Sequence, residues 1–377
     1  MSIPKFTSQI PEKQKAWVVT GKGPVTQVLK FDENFPVPAK LAPGEVLVKV
    51  HAAALNPAYV ILHFVTFVYL TYVGFAFRGY KSMEVIPNWM SKRPYIAEMD
   101  FSGVIVDANG TDLSNGQEVF GLVAHQGKTK QGSLAQYLSV SRSHLTARPS
   151  NISALEAAGI ALVGLTADYA LYELANLQPG QNVFINGGST AVGILAIQMA
   201  KATGCTVTAS ASTKREAFLK SIGVHHFIDY TKSPVFKQLE SDPAKPRYHV
   251  FLEAVGNTDV ELYTHCAAYL APDGIFISVG PQPDGWKGVP RLGRYLWETL
   301  LRPKVLGGAS RKWKVIMVQP KGLEEQLGRI AKLVADGKLK AVVDSVYPFE
   351  DALKAYERIM TKRACGKVTV NIDLEAD

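Results

Sequence analysis

The sequence has few cysteines and no cysteine cluster. Its 377 residues include Cys205, Cys266 and Cys365, and no two of them stand in a C-x-x-C spacing. Such a set supplies neither a disulfide framework nor a cysteine-rich zinc site. The polar segment Met1 to Lys15 also lacks the apolar core of a signal peptide. We therefore expect a reducing, cytoplasmic location.

A concentrated charge of either sign is missing as well. The chain has 41 Lys and Arg against 33 Asp and Glu, a net charge of +8, and the basic residues form no clustered stripe. This balance attracts phosphorylated ligands without the electrostatic footprint of a nucleic-acid reader. With 47% hydrophobic and 20% charged residues, the composition is globular, and the length exceeds what one core supports. We expect a two-domain enzyme with a small-molecule substrate and no nucleic-acid partner.

A glycine-rich turn stands between a strand and a helix in the middle of the chain. The apolar strand Asn182 to Asn186 leads into Gly187 to Gly193, which opens an apolar helix from Ile194 to Lys201. A second strand, Thr206 to Ala211, follows at crossover distance. This layout places backbone N–H groups and a helix N-terminus against a pyrophosphate, although a purely structural turn is the alternative. The predicted contacts, with Gly188 at the tight turn, are Gly188, Ser189, Thr190, Ala191, Val192 and Gly193.

No acidic residue ends the second strand. Proteins that prefer NAD place Asp or Glu there for the ribose 2′-OH, whereas a 2′-phosphate needs donors and positive charge. Here Ser212, Lys214 and Arg215 follow the strand. We predict that these three bind the 2′-phosphate of NADP(H); the alternative is a solvated start to the helix Lys214 to Ile222.

The pattern of elements changes near Ser153. The first third is rich in short alternating or apolar runs between turn residues, which predicts strands. From Ser153 onward, helices alternate with strands, beginning with a long helix at Ala154 to Asn176. Such alternation predicts a doubly wound parallel sheet with helices on both faces. Trp313 to Val318 alternates like an edge strand that pairs with its twin in a homodimer or ends the sheet of a monomer.

Five motifs in order together resemble a known family. They are Ala52 to Pro57, Asp100 to Val104, Gly132 to Tyr137, Gly187 to Gly193, and the carboxy-terminal segment from Lys338 to Val368. The chain is similar to the medium-chain dehydrogenase/reductase superfamily, in its zinc-free quinone oxidoreductase and enoyl reductase branch, with a Gly-Gly-Ser-Thr-Ala run like that of fungal enoyl reductases. The resemblance implies a GroES-like β-barrel catalytic domain from residues 1–150 and 320–377, and a Rossmann NADP-binding domain at 151–319.

The same resemblance implies further site residues. Thr166 lies near the nicotinamide carboxamide, Val255, Gly256 and Gly280 wall the cofactor, and Tyr230 packs by the adenosine phosphates. Asn56 holds the substrate or the nicotinamide ribose. Zinc-dependent relatives need a cysteine and a Gly-His-Glu run where this chain has Leu55 with Asn56 and Ala97 to Met99, so we expect no zinc.

The expected reaction is hydride transfer from NADPH to an activated C=C of an enone, enoyl thioester or quinone, including carrier-bound thioesters of polyketide biosynthesis. Tyr80 and Lys81 are candidate proton donors to the enolate, and a solvent proton would serve equally. Two alternatives stay open. One is a zinc-free alcohol or aldehyde reductase, and the other is a non-catalytic NADPH-binding protein at lipid surfaces.

One apolar insert interrupts the family pattern. Tyr59 to Phe77 contains no acidic or basic residue other than His63, and a hydropathy window would predict a membrane span. A single crossing would separate Asn56 from the strand at Asp100 to Val106, which the resemblance places in the same barrel. Removing residues 59–78 restores the family spacing, so we interpret the insert as a retained intron. An interfacial anchor and an apolar lid over the substrate cleft are the alternatives.

Overall fold

The structure, a computed structural model, divides the chain into two compact units. The split unit comprises Met1–Leu162, Pro320–Ala335 and Ala341–Asp377, and the central unit comprises Val163–Gln319 and Asp336–Lys340. The described residues are 10–57, 80–85, 88, 93–123, 130–241, 247–256, 260–281, 289–302, 311–316 and 322–373. Within those ranges, no helix is long and apolar enough to cross a bilayer. The apolar insert at 59–78 lies outside them.

The amino-terminal part of the split unit consists mainly of strands. They are β1 (Lys13–Val19), β2 (Leu29–Pro36), β3 (Glu45–Ala54), β4 (Tyr95–Ile96), β5 (Asp100–Asp107), β6 (Glu118–Leu122), β7 (Tyr137–Ser141) and β8 (Leu145–Ala147). The helices between and after them are α1 (Val25–Val28), α2 (Tyr80–Val85) and α3 (Ala154–Ala158). The next helix, α4 (Ala161–Asp168), begins in the split unit, ends in the central unit and continues as a π-helix, Tyr169–Leu174.

The central unit alternates strands and helices. Its strands are β9 (Asn182–Asn186), β10 (Thr206–Ala211), β11 (His226–Asp229), β12 (Tyr248–Glu253), β13 (Leu270–Ser278) and β14 (Lys312–Val315). Its helices are α5 (Ala191–Ala202), α6 (Glu216–Ile222), α7 (Val235–Glu240), α8 (Glu261–Thr264) and α9 (Val289–Leu296). The strands form one sheet in the order β11-β10-β9-β12-β13-β14, with every neighbouring pair parallel. The predicted parallel sheet is confirmed, and β14 lies at its edge.

The chain then returns to the split unit with α10 (Leu323–Ala335), β15 (Val343–Pro348), α11 (Ala352–Met360) and β16 (Lys367–Asn371). The main sheet has the order β15-β16-β3-β5-β6-β8, and β7 also pairs with β3. A smaller sheet has the order β2-β1-β4. β16 runs antiparallel to β3, so that Thr369 faces Ala54. The first and the last of the three segments of the split unit therefore share one sheet.

A tryptophan in the first strand joins the two parts of the split unit. The indole Nε1 of Trp17 donates to the carbonyl oxygen of Phe349 at 2.7 Å. Its ring lies 5.1 Å from that of Phe31, which in turn contacts the Phe349 ring edge-on. A buried indole N–H needs such a partner, because leaving it unpaired costs free energy. This contact fixes the segment before α11 against β1.

The prediction of one long helix from Ala154 to Asn176 is wrong in one respect, because the structure has an interruption between α3 and α4. Ser153 and Glu156 form the capping box that begins α3. The N–H of Leu162 donates to the carboxylate of Asp100 at 2.8 Å, which draws it away from the regular helical ladder. The apolar face of α3 packs through Ala154 and Ala158 on small residues of β3. A carboxylate remote in sequence thus divides the predicted helix.

A glycine in β5 provides a test of the main sheet. A Cβ added at Gly103 would overlap the backbone carbonyl of Lys49 on β3, and backbone atoms cannot move away cheaply. Gly103→Ala is expected to lower the free energy of unfolding by at least about 2 kcal/mol. Urea unfolding followed by fluorescence measures the change.

Gly328 is the matched control, because it is exposed in α10 and an added Cβ there meets no atom within 4 Å. Gly328→Ala is expected to raise the free energy of unfolding by about 0.5–1 kcal/mol. Equal urea midpoints for the two variants would contradict the packing described for β5.

Candidate active site

The glycine-rich turn connects β9 to α5 in the central unit. Gly187 has a φ of +81°, a left-handed conformation that favours glycine. This residue precedes Gly188, to which the sequence analysis assigned the tight turn. A Cβ added at Gly193 would overlap the carbonyl of Gly187, so the helix approaches its own turn closely. The turn is therefore tight at its first glycine and closely packed at its last.

The start of α5 is capped by a side chain from the same turn. Thr190 Oγ1 accepts from the N–H of Gly193 at 3.0 Å and donates to the carbonyl of Gly187 at 2.8 Å. Ser189, Ala191 and Val192 are half-buried. The N-terminus of a twelve-residue helix carries a partial positive charge that stabilises anions. The capped start of α5 therefore places the positive end of the helix beside the turn.

The basic segment Ser212 to Arg215 directly follows β10. Ser212 and Arg215 are half-buried, and Lys214 is exposed. The predicted helix start at Lys214 is corrected, because Thr213–Arg215 forms a 3₁₀ turn and α6 begins at Glu216. A single 3₁₀ turn before an α-helix is a common way to tighten its first turn.

The sequence analysis missed an acid next to this segment. Asp229 ends β11 directly beside Ala211, the last residue of β10. Its carboxylate accepts from the hydroxyl of Thr213, and from the hydroxyl and N–H of Thr231 at 2.6 and 2.8 Å. The hydroxyl of Thr213, and then that of Thr231, lower the pKa of the Asp229 carboxyl. This carboxylate is therefore held by threonines of its own unit.

The remaining predicted cofactor residues of the central unit, with the exception of Thr166, follow strand ends. Tyr230 follows β11 and is 55% exposed, and Val255 follows β12 and is 47% exposed. Gly256 and Gly280 follow β12 and β13 with φ values of +77° and +92°. The carboxyl ends of parallel strands share one edge of a sheet, which is where ligands of such folds bind. Thr166 lies instead in α4, half-buried.

Asn56 is enclosed in the split unit and is only 2% exposed. Its Nδ2 donates to Glu98 at 3.2 Å and to Asp100 at 3.1 Å, and its Oδ1 accepts from Lys367 Nζ at 2.7 Å. Its backbone N–H also donates to Glu98, at 3.1 Å. The amide that was predicted to hold substrate or ribose is thus bonded within the protein on both its oxygen and its nitrogen.

These partners form a buried group that we call the Asn56 cluster: Asn56, Glu98, Asp100, Tyr356 and Lys367. The Lys367 ammonium lies 2.8 Å from Asp100 Oδ2. The hydroxyl of Tyr356 donates to Glu98 Oε1 at 2.7 Å. All five side chains are buried. Apart from Asn56, sequence reasoning did not assign them to a site. Glu98, Asp100 and Lys367 had one signal, which was charge at or beside otherwise apolar strands, whereas Tyr356 lies in α11 and had none.

Burial makes the ionised form of Glu98 unfavourable. Burial raises the pKa of its carboxyl from 4.5 to about 8, against the lowering effects of the Tyr356 hydroxyl and the Lys367 charge. Its backbone adopts a φ of +59°, which is uncommon for a residue other than glycine. Hydrogen bonds to both carboxyl oxygens hold the residue there. The cluster therefore pairs one ion pair with a carboxyl that resists ionisation.

Tyr80 and Lys81 lie at the start of α2 and are both buried. Tyr80 belongs to the hydrophobic core of the split unit together with Met83. The ring of Tyr80 therefore contributes to packing. Lys81 follows it in α2 and is 8% exposed.

Comparison with known proteins identifies the family. Residues 42–172 match the alcohol dehydrogenase GroES-like domain, and residues 222–370 match the zinc-binding dehydrogenase family. The trans-enoyl reductase pgmF of Aspergillus terreus is 33% identical over 385 residues, covering 98% of this chain and 99% of the relative. The chain is a medium-chain dehydrogenase/reductase. The trans-enoyl reductase poxH of Penicillium oxalicum is also 33% identical, over 407 residues, covering 96% and 98%.

A solved structure places this medium-chain dehydrogenase/reductase in the predicted branch. The quinone oxidoreductase from Coxiella burnetii superposes with a TM-score of 0.74 at 25% identity, covering 96% of this chain and all of that one. The predicted GroES-like and Rossmann architecture is confirmed, and so is the enoyl and quinone reductase branch. The protein is an oxidoreductase of a family that binds NAD(P).

The name of one matched family raises the question of a zinc ion. At the positions to which the resemblance assigns the ligands of zinc relatives, this chain has Asn56 and Glu98. Both belong to the Asn56 cluster, whose internal cation is the Lys367 ammonium. The cluster offers no thiolate or imidazole, the ligands that zinc prefers. Across the described ranges, no group of three or more His, Cys, Asp or Glu is placed to hold a metal. The residues of the cluster do not fit zinc, and we derive no step through it.

The raised pKa of Glu98 predicts a pH-dependent stability. The folded pKa of about 8 exceeds the ordinary 4.5, so the folded state binds the proton more tightly than the unfolded state does. Stability is then lost as pH rises between these values, by up to about 1.4 kcal/mol per pH unit. Glu98→Gln removes this slope, so the stability of the variant relative to wild type is expected to increase from pH 5 to pH 8.

Urea unfolding at each pH measures the difference. Glu350→Gln is the control, because Glu350 is an exposed acid of the same unit in an ion pair with Lys15. Its difference from wild type should stay constant over this range. A Glu98→Gln difference that is equally flat would contradict the description of the cluster.

Proposed function

We propose that this protein is an NADPH-dependent reductase that transfers hydride to an activated C=C bond. The observation that carries the cofactor choice is the end of β10, where Ser212, Lys214 and Arg215 stand in place of an acid. The reaction class is supported by the full-length similarity to two fungal proteins named trans-enoyl reductases. The proposed substrates are enones, quinones and enoyl thioesters, including thioesters carried by a polyketide synthase.

In this proposal the central unit binds the dinucleotide. The Gly188 to Gly193 turn supplies backbone N–H groups and a helix N-terminus to the pyrophosphate. Ser212, Lys214 and Arg215 contact the 2′-phosphate, while the hydroxyl of Thr213 stays with Asp229. Tyr230 packs beside the adenosine, and Thr166, Val255, Gly256 and Gly280 border the nicotinamide half. Because Asp229 is already held by two threonines, it does not compete for the ribose hydroxyl.

The split unit supplies the groups that act on the substrate. When bound, NADPH delivers hydride to the β-carbon of the C=C bond. The Lys81 ammonium would stabilise the oxygen of the resulting enolate, and Lys81 or solvent would donate the proton that the α-carbon takes up, so that one hydride and one proton are added overall. Asn56 is held by Glu98, Asp100 and Lys367. It maintains the shape of the substrate site and donates no hydrogen bond to the substrate. Tyr80 positions Lys81 through its place in the core.

The cofactor choice predicts a selective loss of affinity. A charged hydrogen bond contributes about 1.5–3 kcal/mol, which is about 10–100-fold in affinity. The double variant Lys214→Ala with Arg215→Ala is therefore expected to weaken NADPH binding by at least that factor. NADH, which lacks the 2′-phosphate, should bind the variant and the wild type within about twofold. Titration calorimetry with both nucleotides gives the four dissociation constants.

Lys220→Ala is the matched control, because this exposed lysine lies on the adjoining helix α6 and pairs with Glu216. It should leave both affinities unchanged. A wild-type protein that binds NADH more tightly than NADPH, or a double variant that loses both nucleotides equally, would refute the assignment of NADP(H).

The reaction class predicts both a substrate pattern and a variant effect. Wild-type protein is expected to oxidise NADPH with enones or a crotonyl N-acetylcysteamine thioester, and not with saturated aldehydes. Lys81→Met keeps the length of the side chain without its charge, and is expected to lower kcat by about 100-fold or more with unchanged NADPH affinity. Absorbance at the nicotinamide band follows turnover.

Lys354→Met, at an exposed lysine of α11 in the split unit, is the control and should retain wild-type kcat. Reduction of aldehydes alone would favour the alcohol or aldehyde reductase alternative. Bound NADPH without any turnover across the panel would favour the non-catalytic alternative. A Lys81→Met variant of full activity would assign the proton to solvent.

A further inference from the structure

Four neighbouring strands of the central unit carry a buried polar residue at or next to their carboxyl ends. These residues are Ser210 on β10, Asn186 on β9, Glu253 on β12 and Ser278 on β13, and we call them the strand-end relay. Sheet register aligns them, since Asn186 pairs with both Ser210 and Glu253, and Glu253 pairs with Ser278. Each is at most 7% exposed. Four polar side chains thus form one row across the sheet.

Hydrogen bonds connect the row from both ends toward Glu253. The hydroxyl of Ser210 donates to Asn186 Oδ1 at 2.6 Å, and Asn186 Nδ2 donates to Glu253 Oε1 at 3.4 Å. From the other side, the hydroxyl of Ser278 donates to Glu253 Oε2 at 3.2 Å. The Glu253 carboxylate is therefore the acceptor at which both halves of the relay end.

The loops that leave these strands donate their backbone N–H groups back to the relay. Gly187 N–H donates to Ser210 Oγ at 3.0 Å, and Gly280 N–H donates to Ser278 Oγ at 3.1 Å. Val255 and Gly256 N–H donate to the two oxygens of Glu253 at 2.9 and 3.1 Å. All four donors belong to segments that the proposed function assigns to, or places directly before, the cofactor contacts.

The direction of these bonds makes the carboxylate hard to replace. Glu253 receives two backbone donors, one amide donor and one hydroxyl donor, and none of the four groups is offered as an acceptor in these bonds. A glutamine has one acceptor oxygen, so its NH₂ group would face a donor whichever way it turned. Leaving a buried N–H unsatisfied is costly.

We propose that Glu253 is a positioning residue for the nucleotide. Its carboxylate holds the Gly187 turn through Asn186 and Ser210, the Val255 loop directly, and the Gly280 loop through Ser278. The three loops are thereby fixed in one arrangement before the nucleotide arrives, which removes an ordering cost from binding. The inference rests on the proposed function, because it concerns affinity for the nucleotide at that site.

Nucleotide affinity in a small set of variants tests this role. Glu253→Gln is expected to weaken NADPH binding by about 10–100-fold, and amide hydrogen exchange at Gly187, Val255, Gly256 and Gly280 should accelerate in the nucleotide-free protein. Ser278→Ala removes one arm and should weaken binding less. If the glutamine variant does not fold, Ser278→Ala still tests the relay through the same two measurements.

A second-site change distinguishes positioning from general destabilisation. In the double variant Asn186→Asp with Glu253→Gln, the new carboxylate accepts from the glutamine NH₂, and the glutamine oxygen accepts from Gly256 and Ser278. The Val255 N–H still lacks its acceptor, so the rescue is expected to be partial. The double variant is expected to bind NADPH at least about threefold more tightly than Glu253→Gln. Val250→Ala is the control, because it truncates a buried apolar side chain of the same strand and should lower Tm without changing affinity.

The outcomes separate the two hypotheses. A glutamine variant that binds NADPH within twofold of wild type, or that loses no more affinity than Val250→Ala at a similar Tm, overturns the role of Glu253 and leaves the proposed function intact. Absence of rescue in the double variant also counts against the relay. A wild-type protein that binds neither NADPH nor NADH overturns the proposed function, and the inference falls with it.

Discussion

The central unit must provide hydrogen-bond acceptors for the backbone N–H groups of the loops that follow the carboxyl ends of its parallel strands. Such groups have no partner in the next strand once the chain turns away from the sheet, and a buried N–H without a partner is costly. Here side chains in the sheet itself accept them, with Glu253 at the centre of the row. The left-handed Gly187 and the capping Thr190 complete the same task at the start of α5. The conformation of these loops is therefore held by side chains of the sheet.

The split unit meets a related constraint, the burial of charge. Lys367 and Asp100 neutralise each other, Asn56 is held between them and Glu98, and burial favours the protonated form of the Glu98 carboxyl. Charges removed from water persist only when paired and hydrogen-bonded. Asp100 also binds the N–H of Leu162, so the same carboxylate that pairs with the lysine interrupts the helix after α3. The Asn56 cluster thus determines both the surroundings of Asn56 and the start of α4, the helix that continues into the central unit.

Much of the central unit could be predicted because its signals are local. The strand Thr206 to Ala211, the turn before α5 and the basic segment after β10 each occupy a few consecutive residues. The structure has the strand at those bounds, whereas α5 begins at Ala191, inside the predicted turn Gly187 to Gly193. The other members of the Asn56 cluster were missed because they lie 42 to 311 residues from Asn56 in the sequence. The break before α4 was missed for the same reason, since its cause is a carboxylate 62 residues upstream. At the ends of strands, Asn186, Ser210 and Ser278 look like ordinary turn residues, and only their register reveals a row.

The position of β16 in the main sheet has a consequence for biosynthesis. β3 receives its neighbour β16 only after more than 300 further residues have been made, whereas the six strands of the central unit all lie between Asn182 and Val315. Domains fold as units during translation, and contacts that close long loops come late. The nascent split unit would therefore lack a neighbour along Ala52 to Ala54 of β3. Asp100 would still lack Lys367, and Glu98 would still lack the Tyr356 hydroxyl. Until the ribosome releases the last strand, chaperones and proteases would meet that open edge first.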